Sequence, residues 1–108
     1  VTTFSLSEFG RTLTSNGNGT DHAWGGNVMV MGGDVIGKRI YGEYPTLALN
    51  SNIELGSGVL IPQLSADQYF AELALWFGIS PSELTTIFPT LTNFYQPGGA
   101  PPIGFLNI

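Results

Sequence analysis

The 108-residue sequence predicts an α/β fold, with strands in its first half and a helical hairpin in its second. Three observations carry this reading. The opening Val1–Leu6 is rich in Thr, Val and Phe, residue types that suit a pleated, buried surface. From Ser65 onward the apolar residues change to the three-and-four spacing of a helix. Charge is also scarce: Asp, Glu, Lys and Arg make up 10% of the chain, against roughly 25% in an ordinary soluble domain. A chain of this size has much surface to solvate, so the shortage predicts that further polypeptide covers part of it. The remainder of a longer protein or a partner chain would complete the sheet, with Val1–Leu6 as an interior strand.

The charges that remain are mostly acidic, eight carboxylates against Arg11, Lys38 and Arg39. Nucleic acid is excluded as a partner, because neutralising phosphates needs clustered Lys and Arg. No cysteine is present, which removes disulfides, thiolate metal sites and thiol catalysis. No apolar run approaches the roughly 20 residues of a transmembrane helix. The sequence shows no signal peptide, so the address of an exported protein would lie on another part of the polypeptide.

In order along the chain, the first strand stops at Ser7-Glu8. Thr14–Gly19 contains Asn-Gly twice and reads as a loop, since Asn-Gly supplies the positive φ of tight turns. Asn27–Met31, an apolar run between glycine pairs, reads as a short buried strand. Val35–Ile36 and Arg39–Tyr41 flank Gly37-Lys38 as in a two-residue hairpin. Gly42–Ser57 reads as an excursion broken by Pro45, Asn50 and Asn52, and Gly58–Ile61 as a strand closed by Pro62.

Ser65 and Gln68 form a capping box for a helix over 66–77. Its Tyr69, Phe70, Leu73, Ala74, Trp76 and Phe77 share one broad face, which the pattern lays against the sheet. Gly78 ends it. Ser80 and Glu83 repeat the box, with Pro81 at the first helical position, and Pro89 closes this shorter helix. The domain extends over 1–94, and 95–108 is a Pro/Gly-rich tail. Its apolar Ile103, Phe105, Leu106 and Ile108 predict that the chain end docks.

Chemically capable side chains concentrate between Ser5 and Gly33. Glu8, Arg11, Asp21 and His22 flank the Gly/Asn loop, and polar groups gathered where strands end are how open α/β sheets build sites. The plainer alternative is a Glu8–Arg11 surface pair with a satisfied, half-buried His22. A calcium loop through Asn16, Asn18, Thr20 and Asp21 is a third reading, although it lacks the acidic set and terminal Glu of an EF-hand.

Several separate motifs occur together: Thr3-Phe4-Ser5-Leu6-Ser7-Glu8-Phe9-Gly10-Arg11-Thr12, Gly19-Thr20-Asp21-His22-Ala23-Trp24-Gly25, Val30-Met31-Gly32-Gly33, the Gly37–Gly42 segment, and Asp67-Gln68-Tyr69 through Trp76-Phe77-Gly78 with Phe88-Pro89. In this order, over Val1 to about Phe94, the chain resembles the C-terminal part of a large family of exported bacterial proteins of unknown function. That family has a sulfatase-like, alkaline-phosphatase-superfamily fold and usually carries a twin-arginine signal. The resemblance implies a fragment of a three-layer α/β sandwich in a periplasmic or extracellular protein.

It also implies candidate metal ligands for a divalent ion, zinc or calcium. A superfamily strand ends in Asp-His-Gly, and here Glu8 stands for the Asp while Phe9 replaces the His. His22 stands for a later His of a Gly-rich loop, with Asp21 beside it, and Arg11 is the residue expected to contact the anion. On this resemblance the chain is part of a metal-assisted hydrolase of phosphate or sulfate esters. The alternative is a catalytically degenerate member with a binding or assembly role at the cell envelope, because a Phe ring offers a cation no lone pair.

Overall fold

The computed structural model describes residues 1–108 and contains four strands and two α-helices: β1 (Thr2–Phe4), β2 (Gly10–Ser15), β3 (Thr20–Ala23), β4 (Val30–Gly32), α1 (Ala66–Phe77) and α2 (Pro81–Ile87). A 3-10 turn follows over Pro89–Asn93. The chain is therefore mixed α/β, with β1 paired to β4 and β2 paired to β3 in two small sheets. Ser5 lies beside Met29, its N–H donating to the Met29 carbonyl at 2.9 Å, while Gly32 lies against Val1 and Thr2. The first sheet is thus antiparallel, like the second.

Contacts divide the chain into two interleaved units. One comprises Val1–Thr2, Met31–Gly42 and Leu64–Ile108, the other Thr3–Val30 and Glu43–Gln63.

In the second unit β2 and β3 form a hairpin, with Gly10 opposite Ala23, Arg11 opposite His22 and Ser15 opposite Thr20. The Asn16 N–H donates to the Gly19 carbonyl at 2.9 Å and closes the turn. Thr14 and Ser15 therefore belong to a strand, and the predicted 14–19 loop shrinks to Asn16–Gly19. On the outer side of β2, the Leu13 N–H donates to the Gly58 carbonyl and the Thr14 hydroxyl to the Ser57 carbonyl. Gly58 is needed there: its φ is +77°, and a Cβ would stand 2.6 Å from the Leu13 nitrogen. The predicted 58–61 strand is one arm of a tight loop, joined by Leu55 N–H to Val59 O and Ile61 N–H to Ile53 O. The Glu54 carboxylate holds that loop by accepting from the amides of Asn50, Gly56 and Gly58.

In the first unit α1 spans the predicted residues. The Ser65 hydroxyl accepts from the Gln68 amide while the Gln68 side chain accepts from the Ser65 amide, and Gly78 takes the left-handed conformation at the other end. The second capping box, Ser80 with Glu83, opens α2. Ala71, Leu84, Leu91 and Tyr95 form the core between these helices and the 3-10 turn, flanked by Ala74, Leu75, Ile79 and Phe88.

The chain end covers another side of α1. Gln68 Nε2 donates to the Pro102 carbonyl at 3.3 Å, and Phe105 packs beside Tyr69 and Tyr41. Phe105 and Leu106 are buried, whereas Ile108 is exposed. The expected docking of the chain end is thus observed for Phe105 and Leu106.

Three expectations are corrected. The 35–41 hairpin does not form, because Val35 bridges Leu106 and the Ile36 N–H donates to the Phe105 carbonyl. The strand expected at 27–31 lies instead at Val30–Gly32, and both its Met31 and the preceding Met29 are exposed rather than buried. Finally, α1 is covered by α2, the 3-10 turn and the tail instead of a sheet. Leu73 is buried as expected, but Trp76 reaches out to donate to Asp34, and Phe77 is 81% exposed.

Candidate functional site: the hairpin of Arg11 and His22

Residues opposite one another in an antiparallel ladder project from the same face, so pairing Arg11 with His22 brings two separated residues side by side. Thr12 and Ala23 face inward and are buried, leaving Arg11 and His22 in solvent. The inward anchor is polar: the Thr12 hydroxyl donates to the Thr14 carbonyl at 2.8 Å and accepts from the Asp21 amide at 3.2 Å.

Phe9, just before β2, organises the outward face. Its ring lies over the His22 imidazole with centroids 3.6 Å apart and planes 18° from parallel. The Arg11 guanidinium carbon stands 5.1 Å from the centroid of the same ring, within the range of a cation–π contact. Arg11 is steadied further by donating from Nη1 to the Thr20 carbonyl at 2.8 Å. Stacking covers one face of the imidazole and leaves its edge, and the guanidinium N–H groups not spent on Thr20, to meet a ligand.

The two candidate carboxylates are placed differently. Asp21 lies on β3, and its Oδ1 accepts from Asn16 Nδ2 at 2.8 Å, so it serves the turn. Glu8 sits in the bend before Phe9, exposed and without a hydrogen bond. No group of three or more His, Asp or Glu side chains stands close enough to hold a metal ion. The ring of the Phe9–His22 stack also shows what the residue-type reading of Phe9 as a lost ligand missed. An aromatic two positions before Arg11 was the signal, since it can stack on whatever the partner strand places opposite.

A signature of one family runs through this region, over residues 1–87. The chain belongs to the family described as Protein of unknown function (DUF1501). Its match takes in both sheets, α1 and α2, and so includes every candidate residue of the hairpin; the docked tail lies beyond it. No curated protein and no solved structure matches this DUF1501 chain. No helix is long and apolar enough to cross a membrane.

Proposed function

We propose that this DUF1501 chain is part of an exported, sulfatase-like hydrolase of phosphate or sulfate esters, with an alkaline-phosphatase-type fold, and that its β2–β3 hairpin contacts the anionic group. The observation that supports the reading is the Arg11–Phe9–His22 stack, which holds two nitrogen-bearing groups side by side on an exposed face. A guanidinium suits bidentate contact with a tetrahedral oxyanion. With its guanidinium beside Phe9 and one N–H anchored on Thr20, Arg11 loses little freedom on binding. His22, opposite Arg11 in the ladder, adds a second donor or acceptor on the same face. As the ester reacts, charge grows on its oxygens, and donors already aimed at them favour the transition state over the ground state.

A second reading rests on Phe9. It occupies the place where the resembled superfamily carries a ligand His, and Glu8, Asp21 and His22 do not gather into a metal site. A degenerate member would keep the same stack as a binding surface for anionic groups at the cell envelope.

Hydrolysis of p-nitrophenyl phosphate and p-nitrophenyl sulfate by the intact protein separates the two. The hydrolase reading predicts that Arg11→Ala lowers kcat/KM by about 100-fold, the scale of losing one oxyanion donor, with Arg11→Lys only partly restoring it. Turnover unchanged in Arg11→Ala and His22→Ala would sink the catalytic assignment. Anion binding that persists without turnover would leave the degenerate reading.

A further inference from the structure

We propose that Asn18, at the tip of the β2–β3 hairpin, is a site of spontaneous deamidation, and that the fold protects the neighbouring Asn16 from the same reaction. Both residues precede glycine, as Asn16-Gly17 and Asn18-Gly19. In this reaction the backbone nitrogen of the following residue loses its proton to solvent base and attacks the side-chain carbonyl carbon. The bond to the side-chain nitrogen breaks, ammonia leaves, and a five-membered succinimide forms. Water then opens either carbonyl to give aspartate or isoaspartate. A following glycine favours the step because it has no Cβ to obstruct the approach and turns freely about its backbone bonds. Sequence alone makes the two sites equivalent.

The structure separates them. Asn16 is held at every group the reaction must move: its Oδ1 accepts from the Asn18 amide at 2.9 Å and its Nδ2 donates to Asp21 Oδ1 at 2.8 Å. Its attacking nitrogen, that of Gly17, donates to the Ser15 hydroxyl at 3.1 Å. The Asn18 side chain is exposed and makes no hydrogen bond, and the nitrogen of Gly19 is likewise unengaged. Gly19 has nothing within 4 Å of a Cβ position, so although its carbonyl accepts from the Asn16 N–H, no side chain crowds the approach of its nitrogen to the Asn18 carbonyl carbon. Reaction at Asn18 adds a negative charge at the tip of a strand pair that carries Asp21 and Arg11. The isoaspartate product also lengthens the backbone by one carbon inside the turn.

The test is incubation of the folded protein at mildly alkaline pH, followed by peptide mass spectrometry and isoaspartyl methyltransferase labelling. A synthetic peptide covering residues 11–22 serves as the unfolded control. The expected result is Asn18 reacting several-fold faster than Asn16 in the protein, with the two rates similar in the peptide. Asn18→Ser should abolish the fast phase, and Asp21→Ala should raise the rate at Asn16 toward the peptide value by freeing its amide. Equal rates at the two residues in the folded protein, or Asn16 reacting first, would overturn the proposal. So would an Asn16 rate in Asp21→Ala that does not change.

Discussion

Glu72 is fully buried in a chain with only eight acidic residues, and no cation accompanies it. What holds a carboxylate there is backbone: Oε2 accepts from the amides of Ile103 and Gly104, each at 2.7 Å, and Oε1 accepts from Leu106 at 2.9 Å. Two consecutive amides can converge on one oxygen because Gly104 adopts φ +98°, which turns the backbone into an anion-binding concavity. Buried charge is tolerated only with such complete hydrogen bonding. The helix supplies the acceptor and the tail supplies the donors, so one residue ties the chain end to α1. Glu72→Gln is a demanding test, since glutamine keeps the shape but has only one acceptor atom. Its NH2 would face at least one N–H, leaving a buried donor unsatisfied at a cost of about 1–3 kcal/mol. A lowered urea midpoint together with faster proteolysis of the tail is the expected outcome. An unchanged midpoint would show that the amides deprived of their acceptor find water instead.

Among the elements, the loop that carries Glu54 depends on a charge in the same way, but at the surface. Amide donation from Gly58 first, and then from Asn50 and Gly56, holds the Glu54 carboxyl below its ordinary value. A depressed folded-state value means that the carboxylate supports the loop above the ordinary carboxylate range. That support fades as pH falls through the depressed value. Amide chemical shifts of Asn50, Gly56 and Gly58 should therefore move together on acidification, below the usual carboxylate midpoint, and Glu54→Gln should resemble the acid form at neutral pH. Shifts that move at the ordinary midpoint would contradict this. The distance along the chain between partners explains what the sequence could and could not disclose about elements. The helices were legible because their signals are local: Ser65 and Gln68 lie three residues apart, as do Ser80 and Glu83. The β2–β3 hairpin was not, since Thr12 turns inward while Leu13 turns outward, the reverse of hydrophobic alternation. The hairpin expected at 35–41 failed for a non-local reason. The partners of Val35–Ile36 arrive from Phe105 and Leu106, which no short window can reveal. At the candidate site, the concentration of Glu8, Arg11, Asp21 and His22 in one run was visible, but not that Arg11 and His22 would stand opposite one another while Asp21 ties the turn. The stacking role of Phe9 required the register that sets Arg11 opposite His22.

On the scale of the whole molecule, the shortage of charge meets an abundance of exposed apolar side chains. Val1, Met31, Ile40 and Phe77 are exposed in one unit, and Phe4, Leu6, Met29 and Leu47 in the other. Single apolar residues in water need no explanation, but β1 and β4 expose apolar residues on a sheet of only two strands, which leaves little of its surface covered. The formal net charge of −5 opposes contact between copies only weakly, and only at long range. The expectation is therefore that these 108 residues, expressed alone, associate as their concentration rises, with sedimentation velocity showing growing species. Salt supplies the deciding sign. If apolar burial drives association, sodium sulfate should strengthen it, both by screening the mutual repulsion and by being excluded from the surface. If ion pairs drove it, salt should weaken it. A particle that stays monomeric across the concentration range would show instead that these apolar side chains are too scattered to join into an interface.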